Sequence, residues 1–292
     1  MARISERLPE NVPGRFFVDS TCIDCDLCRQ VAPQTFAESR LGGRSFVFQQ
    51  PASDEQRHRA MMALVACPTA SIGTVTKSDA SSAVNAFPEP IVDPVFFCGF
   101  ASASSFGASS YFIQRPAGNV LVDSPRAARP LMRRLEAMGG VRWMFLSHRD
   151  DVADHEAYHR EFGCERVLHR DDIGRGTADV EHPVAGLLPV SLDPELTVIP
   201  VPGHTPGSAA LLYREFLFTG DHLWGTDDGL HLSASRSVCW YSWPEQVRSI
   251  ERLLDFEFEW VLPGHGRRFR AANPAAMRAE LERLLKRVKS RA

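Results

Sequence analysis

The clearest chemical pattern in the sequence is a group of cysteines near the N-terminus. Cys22, Cys25 and Cys28 form the motif C-x-x-C-x-x-C, and Cys67 is followed directly by Pro68. Gaps of two residues allow consecutive thiolates to converge on one centre from a single tight loop. Soft thiolates are the preferred ligands of iron–sulfur clusters and of zinc. The fourth ligand must come from elsewhere in the chain, and Cys67 is the candidate for it.

The residues that follow Cys28 help to decide between an iron–sulfur cluster and zinc. In the bacterial ferredoxin run C-x2-C-x2-C-x3-C-P, the last cysteine ligates a second cluster. Here Ala32 occupies that position, and Pro33 follows it. The segment resembles a single-cluster bacterial-type ferredoxin over residues 15–75, which implies one [4Fe–4S] cluster on the four cysteines. A structural zinc site on the same thiolates is the alternative, although zinc sites more often use two separated C-x-x-C pairs.

A second set of chemically capable residues follows short apolar runs in the rest of the chain. The runs VRWMFLS, LTVIPVP, REFLFTG and WVLPG each predict a strand, and a histidine or an aspartate follows each one. Sites in layered α/β folds are built at strand ends and in the loops beyond them. Imidazole and carboxylate groups together are ligands for zinc, iron or manganese. In chain order the candidates are His148, Asp150, Asp151, Asp154, His155, His204, Asp221 and His265.

The order of these motifs carries more information than any one of them. H-x-D with a later D-H, then G-H-T-P-G, T-G-D and P-G-H-G, resembles the metallo-β-lactamase superfamily over residues 95–270. The resemblance implies an αββα sandwich with a dinuclear metal site between two sheets. A metal pair would generate hydroxide from a bound water near neutral pH. The implied roles are His148, His204 and the third motif position on one metal, Asp154, His155 and His265 on the other, Asp221 as the bridge, and Asp154 also as the catalytic group that orients or deprotonates the water.

The chain departs from the family motif H-x-H-x-D-H in two respects. His148 to His155 spans eight residues instead of six, and Asp150, with Asp151 beside it, stands where the family has its second histidine. A carboxylate is a harder ligand and favours iron or manganese over zinc. The inserted residues could also move Asp150 away from the metal. We therefore predict one or two divalent metals, zinc, iron or manganese, with a degenerate site holding one metal or none as the alternative.

The elements that position these residues fall into two segments. FFVDST and SFVFQQ predict strands beside the cysteine loop, and DEQRHRAMMALVA predicts a helix that leads into Cys67. The Ser/Ala-rich stretch 78–90 ends in Pro-Glu-Pro, cannot bury much surface and predicts a linker. The fold class is α/β (α+β): a small ferredoxin-like domain over 1–77, a linker over 78–90 and an αββα metallo-β-lactamase-like domain over 91–292. The aromatic stretch 235–243 predicts core packing rather than a wall of the site.

Composition excludes several classes of function. The chain has 292 residues, of which 44% are hydrophobic and 24% charged, which is typical of a globular protein. A formal net charge of −3 argues against nucleic-acid binding. No apolar run is long enough for a membrane span. Without a recognisable secretory pattern at its start, the chain is predicted to be cytoplasmic, where thiols stay reduced.

Three functions are compatible with these features. The leading one is a metal-dependent hydrolase that cleaves an ester-, thioester- or lactone-like bond in a small molecule, with the fused cluster in electron transfer or redox sensing. That preference rests on analogy with the superfamily. The first alternative is a diiron oxidoreductase that resembles the flavodiiron proteins and is fed by the cluster. The second is a non-catalytic redox sensor or electron carrier. A redox partner protein could dock at the cluster face, where Asp19, Asp24 and Asp26 lie, although a solvated surface is the simpler interpretation of these acids.

Overall fold

The computed structural model describes residues 2–40 and 42–290, and they divide into two compact units. The first unit runs up to Val141 and also contains Ala153–Phe162. The second comprises Arg142–Val152 and the chain from Gly163 onward. The four candidate cluster cysteines therefore share a unit with Asp154 and His155. The predicted division of the chain at residues 77 and 91 stays a prediction.

The first unit consists of short strands and helices around the cysteine loop. Its β1 and β4 pair antiparallel, as do β2 and β3, and β5 to β8 form an antiparallel series. The strands predicted from FFVDST and SFVFQQ and the helix before Cys67 are all present. The elements are β1 (Phe16–Val18), α1 (Leu27–Val31), β2 (Phe36–Glu38), β3 (Ser45–Val47), α2 (Asp54–Ala66), β4 (Ile72–Thr74), α3 (Ser81–Asn85), β5 (Glu89–Val92), β6 (Val95–Phe97), β7 (Tyr111–Ile113), β8 (Val120–Val122), α4 (Arg129–Ala137) and α5 (His155–Phe162).

Helix α2 places Cys67 through the way it begins and ends. At its start, the Ser53 side chain accepts a hydrogen bond from the Gln56 N–H at 3.1 Å, which satisfies one of the free donors of the first turn. At its end, the Cys67 N–H donates to the Ala63 carbonyl at 3.0 Å. Pro68 then lacks an N–H and cannot extend the helix. The cysteine thus stands directly at the terminus of the helix.

The stretch 78–90 is mostly exposed or half-buried, but three of its residues are buried. It contains α3 and the start of β5, and both Ala83 and Phe87 are buried. The Phe87 ring meets the rings of Phe97 and Phe100 edge-on, with centroids 5.8 and 5.7 Å away. Phe87 thus anchors the end of a stretch whose Ser/Ala-rich composition predicts a linker, and the linker stays a prediction.

The second unit is built on a mixed sheet. The order β12-β13-β14-β15-β18-β19 is antiparallel except for the parallel pair β15 and β18, and β9, β10 and β11 pair in parallel. No helix in the described part of the chain is long and apolar enough to cross a membrane. The elements are β9 (Trp143–Phe145), β10 (Glu165–His169), β11 (His182–Val184), β12 (Val190–Asp193), β13 (Leu196–Pro200), β14 (Ala209–Tyr213), β15 (Phe216–Gly220), β16 (Trp224–Gly225), β17 (Leu232–Ser233), α6 (Trp243–Arg252), β18 (Trp260–Pro263), β19 (Phe269–Arg270) and α7 (Pro274–Lys289).

Burial and register in this sheet bring the strand ends together. Every residue of β15 is buried, and Gly220 at its end lies opposite Pro263 at the end of the parallel strand β18. Because parallel neighbours end at the same edge of a sheet, Asp221 and His265 emerge side by side. The predicted C-terminal helix is confirmed as α7, and the Asn273 side chain accepts a hydrogen bond from the Ala276 N–H at 2.9 Å. Its buried face, which packs into the same core, consists of Met277, Leu281, Leu284, Leu285 and Val288.

Candidate metal centres

Four thiols line one cavity in the first unit. Cys22, Cys25, Cys28 and Cys67 face it, together with apolar side chains that include Leu27. Burial is the main cause that raises the pKa of the Cys25 thiol to about 12, and burial also raises the pKa of Cys28. Buried thiols of this kind ionise when a metal ion takes the place of the proton. Four sulfur donors around one apolar cavity therefore fit an iron–sulfur group.

The acidic residues around this loop are already engaged. Arg29 donates hydrogen bonds to the carboxylates of Asp24 and Asp26 at 2.6 and 2.5 Å. Asp19 is buried, and its carboxylate accepts hydrogen bonds from the backbone N–H groups of Arg3 and Thr21. The interpretation of Asp19 as a solvated surface residue is therefore wrong, because this carboxylate closes the loop internally.

The predicted strand-end side chains of the second unit meet around Asp221. Its Oδ2 atom lies 3.6 to 3.9 Å from the Nε2 atoms of His148, His204 and His265. Two ligands that are each about 2.1 Å from one ion lie no more than about 4.2 Å apart, so these separations suit a shared cation. Within the described residues, the buried Nε2 atoms of His148 and His204 have no hydrogen-bond partner. Buried polar atoms are normally paired, and a bound cation would pair these two.

Both aspartates of the inserted motif lie beside this cluster. The Oδ2 atom of Asp150 is 3.9 Å from Nε2 of His148 and 3.7 Å from Nε2 of His204. The Oδ2 atom of Asp151 is 3.9 Å from Nδ1 of His148. Two sets of side chains are close enough to hold an ion: His148, Asp150 and His204, and His148, Asp151 and Asp221. Asp150 thus lies within reach despite the insertion, and Asp151 is a further candidate ligand.

The second ring nitrogen of each central histidine is tied to the protein. Nδ1 of His204 donates a hydrogen bond to the Val238 carbonyl at 2.6 Å. Nδ1 of His148 shares a hydrogen bond of 2.9 Å with the Ser147 hydroxyl. Fixing Nδ1 in this way orients the ring and directs the lone pair of Nε2 toward a metal.

Two glycines leave room for the acids. A Cβ atom on Gly264 would lie 2.8 Å from Oδ1 of Asp221 and 2.9 Å from Oδ2 of Asp151. Gly220 has a φ of +50°, and a Cβ atom there would lie 2.4 Å from the Ser147 hydroxyl. The T-G-D and P-G-H-G motifs therefore need glycine for space at the site, and Gly220 also for its backbone conformation.

Charge and burial act in opposite directions on these side chains. Burial lowers the pKa of His148, which keeps this imidazole neutral. Burial acts the same way on His204, but the carboxylates of Asp150 and Asp221 outweigh it and raise its pKa. His204 in turn lowers the pKa of Asp150. Burial lowers the pKa of His222, which follows the central aspartate, to about 3, so this residue is uncharged at neutral pH.

Comparison with known proteins finds similarity to a ferredoxin family and to a curated hydrolase. Residues 18–74 match the family described as the 4Fe-4S single cluster domain of Ferredoxin I, and this range includes all four cavity cysteines. Over 127 residues the chain is 38% identical to a hydroxyacylglutathione hydrolase of Anaeromyxobacter dehalogenans (strain 2CP-C). That alignment covers 40% of this chain and 48% of the relative, so the chain spans about half the length of the curated relative it matches.

Solved structures decide the fold of the remainder. The metallo-β-lactamase DIM-1 superposes with a TM-score of 0.50 at 14% identity, over 70% of this chain and 97% of that one. A metallo-β-lactamase family protein from Thermus thermophilus gives a TM-score of 0.50 at 20% identity, over 69% and 81% of the two chains. Residues 18–74 are thus similar to a single-cluster ferredoxin domain, and the chain contains a metallo-β-lactamase fold. The predicted fold class is confirmed.

The metallo-β-lactamase fold here has a supporting carboxylate that the sequence analysis missed. Asp172 is buried, and its carboxylate accepts hydrogen bonds from the Thr205 hydroxyl at 2.5 Å, the Gly207 N–H at 2.9 Å and the Arg149 N–H at 3.1 Å. It therefore joins the loop that carries His204 to the residue after His148. Asp172 follows strand β10, so the strand-end rule that found the other acids would also have found it.

Trp240 and Tyr241 form an exposed aromatic wall beside the site, against the prediction of core packing, whereas Trp243 at the end of the stretch packs against the core as predicted. The backbone N–H groups of Trp240 and Tyr241 donate to the His204 carbonyl at 3.1 and 3.0 Å. Their side chains are 64% and 55% exposed, and the Trp240 ring centroid lies 6.1 Å from that of His204. Because the backbone of Trp240 and Tyr241 lies against the site, their side-chain rings are exposed to solvent and accessible to a ligand.

The remaining predicted ligands of the metallo-β-lactamase fold lie in the first unit. The Oδ2 atom of Asp154 accepts a hydrogen bond from the Ala127 N–H at 2.8 Å. His155 is the first residue of α5 and is buried. Their roles as metal ligands, and that of Asp154 in catalysis, stay predictions.

Proposed function

We propose that the chain is a metal-dependent hydrolase of an ester-, thioester- or lactone-like bond in a small molecule. The observation that carries this proposal is the convergence of three imidazoles on the Asp221 carboxylate, two of them with buried and unpartnered Nε2 atoms within the described residues. The relative that is named for hydroxyacylglutathione makes an acyl thioester the first substrate class to test.

The residues have distinct tasks in this proposal. Bound divalent metal would supply acidity to a water molecule and polarise the scissile carbonyl. His148, His204 and Asp221 hold the centre, and the hydrogen bonds on the far sides of the two histidines keep them in place before a substrate arrives. The side chains of Asp150 and His265 are 52% and 27% exposed, so the centre opens to solvent on their side. Asp154 would orient or deprotonate the attacking water.

The cysteine site has a separate task. We propose one [4Fe–4S] cluster on Cys22, Cys25, Cys28 and Cys67, because the family matched over 18–74 is a single-cluster one and the four thiols line one cavity. The Ser71 N–H donates to the Cys67 sulfur at 3.3 Å, a contact that stabilises thiolate charge. The cluster would act in electron transfer or redox sensing, with a redox partner protein as its proposed contact.

A second candidate function is a diiron oxidoreductase fed by the cluster. The observation in its favour is the position of Asp150, whose carboxylate lies with the imidazoles of His148 and His204. A carboxylate-rich centre prefers iron or manganese to zinc. Iron in this site together with oxygen consumption by the reduced protein would favour this candidate over the hydrolase.

Metal analysis and a substrate panel on anaerobically purified protein test the proposal. We expect turnover of at least one thioester, lactone or carboxylic ester after loading with zinc, iron or manganese, and loss of that turnover after chelation and its return after reloading. The thioester is expected to be the best substrate of the panel. Absence of turnover with every metal and every substrate class would reject the hydrolase.

A further inference from the structure

The end of helix α2, which carries Cys67, is hydrogen-bonded to a segment well beyond the ferredoxin domain. The carbonyls of a helix's last turn have no partner within the helix. In α2 the Val65 carbonyl accepts a hydrogen bond from Nη2 of Arg126 at 3.3 Å, and the Ala66 carbonyl accepts one from the Ala101 N–H at 3.2 Å. The position of this turn is therefore transmitted to Arg126.

The main chain at Arg126 in turn holds the segment that contains Asp154. The next N–H, of Ala127, donates to Oδ2 of Asp154 at 2.8 Å. The hydroxyl of Tyr158 donates to the Arg126 carbonyl at 3.1 Å, and this tyrosine is fully buried in α5. Arg126 thus contacts α2 with its side chain and α5, which begins directly after Asp154, with its backbone carbonyl.

Arg126 is itself held firmly enough to transmit a displacement. Its N–H donates to the Phe100 carbonyl at 2.8 Å, and its guanidinium carbon lies 5.9 Å from the centroid of the Phe100 ring. All these contacts lie within the first compact unit. The path from Cys67 to Asp154 therefore consists of one helix turn, one arginine and one backbone N–H.

We propose that Arg126 is a positioning residue that makes the placement of Asp154 depend on the cysteine site. Ligation of Cys67 fixes the last turn of α2, and Arg126 carries that order to the Ala127 N–H and so to the Asp154 carboxylate. When the cysteine site is empty, the terminal turn frays, because helix ends open first. Asp154 then loses its fixed orientation. The consequence for metal binding rests on the proposed function and on the predicted role of Asp154 as a metal ligand.

Hydrogen exchange at the Ala127 amide tests the coupling directly in the full-length protein. We expect removal of the iron–sulfur group to speed this exchange at least about tenfold, within the range of ordinary coupling energies. In the Arg126→Gln variant, the Ala127 amide should exchange fast with or without the iron–sulfur group. The Arg126→Lys variant should recover part of the protection of this amide. Arg129→Gln, which alters an exposed arginine three residues on, should behave as the wild type does. The amide of Gln114, which donates to the Pro94 carbonyl within the same unit, reports any general loss of structure there.

Metal affinity provides a second readout that separates the two proposals. We expect the Arg126→Gln variant to keep the absorption spectrum of the cluster. We expect it to bind the divalent metal at the Asp221 centre roughly ten-fold more weakly, as is typical when a residue that orients ligands is lost. Cluster loss and Arg126→Gln should not be additive, because both act on one path. Equal Ala127 exchange with and without the cluster, or additive effects, would overturn the coupling. The wild-type protein could bind no divalent metal at the Asp221 centre and still show Ala127 amide exchange that depends on the cluster. In that case the proposed function fails and the coupling stands.

Discussion

The two candidate metal centres are assembled in opposite ways. Three of the four thiols come from the short segment 22–28, and the fourth comes from the end of one helix. The strand-end centre takes each side chain from a different loop, after β9, β13, β15 and β18. The first centre is local in sequence, whereas the second exists only when distant strands are in register.

This difference decides what each metal does for the protein. Around the cysteines, burial raises the pKa of the Cys25 and Cys28 thiols, and a metal ion that displaces their protons would contribute to folding. Around Asp221, buried strands and hydrogen bonds from His148 and His204 to their own neighbours fix the geometry without a metal. The metal should therefore be needed for stability at the first centre and for chemistry at the second.

Substitution of one central ligand in each site gives the largest expected contrast. Asp221→Ala should lower kcat/KM for the best ester-like substrate at least about a thousandfold, or about 4 kcal/mol, with little change in Tm. Cys28→Ser should instead remove the iron and sulfide and lower the Tm, because the loop loses the metal that orders it. Metal content, thermal melting and steady-state kinetics measure all three quantities.

A matched control is available in the same loop region. Asp227→Asn alters an exposed acid a few residues after Asp221 and should leave metal content and kinetics unchanged. A large fall in Tm for Asp221→Ala would contradict the view that the scaffold preorganises this centre.

The same contrast explains how far sequence reasoning could reach. The cysteine site follows from local spacing, which needs no knowledge of the fold. His204, Asp221 and His265 could be grouped because each follows an apolar run, and the register of β15 and β18 does bring two of these ends together. The position of a residue after a predicted strand does not show how the loop beyond that strand runs.

The paths of the loops explain which features of the Asp221 centre could not be predicted from the sequence. The position of Asp172 after a strand could be recognised from the sequence, but its supporting role depends on donors from two other loops, which no spacing encodes. Trp240 and Tyr241 have the composition of a core segment, but hydrogen bonds to the His204 backbone turn their rings outward. The same loop path brings Asp151, already a candidate from the sequence, beside His148.

Asp172 offers a test of preorganisation with an intermediate effect. Asp172→Asn keeps the shape of the side chain but weakens its acceptance from the Thr205 hydroxyl and two backbone N–H groups. We expect metal affinity or kcat/KM to fall roughly ten- to hundred-fold, the usual effect of losing a group that orients ligands. The neighbouring Asp171 is exposed, and Asp171→Asn should have no such effect. Equal behaviour of the two variants would show that the loop geometry does not depend on this carboxylate.

The smallest expected effect concerns the aromatic wall. If Trp240 and Tyr241 contact the part of the substrate that does not react, their removal weakens binding without changing chemistry. Trp240→Ala and Tyr241→Ala should each raise KM about three- to tenfold, or about 1 kcal/mol, and leave kcat nearly constant. Leu188→Ala removes another exposed apolar side chain of the second unit and serves as the control. A fall in kcat at constant KM would instead mean that the stretch acts by holding the His204 backbone, and its rings would then have no part in substrate recognition.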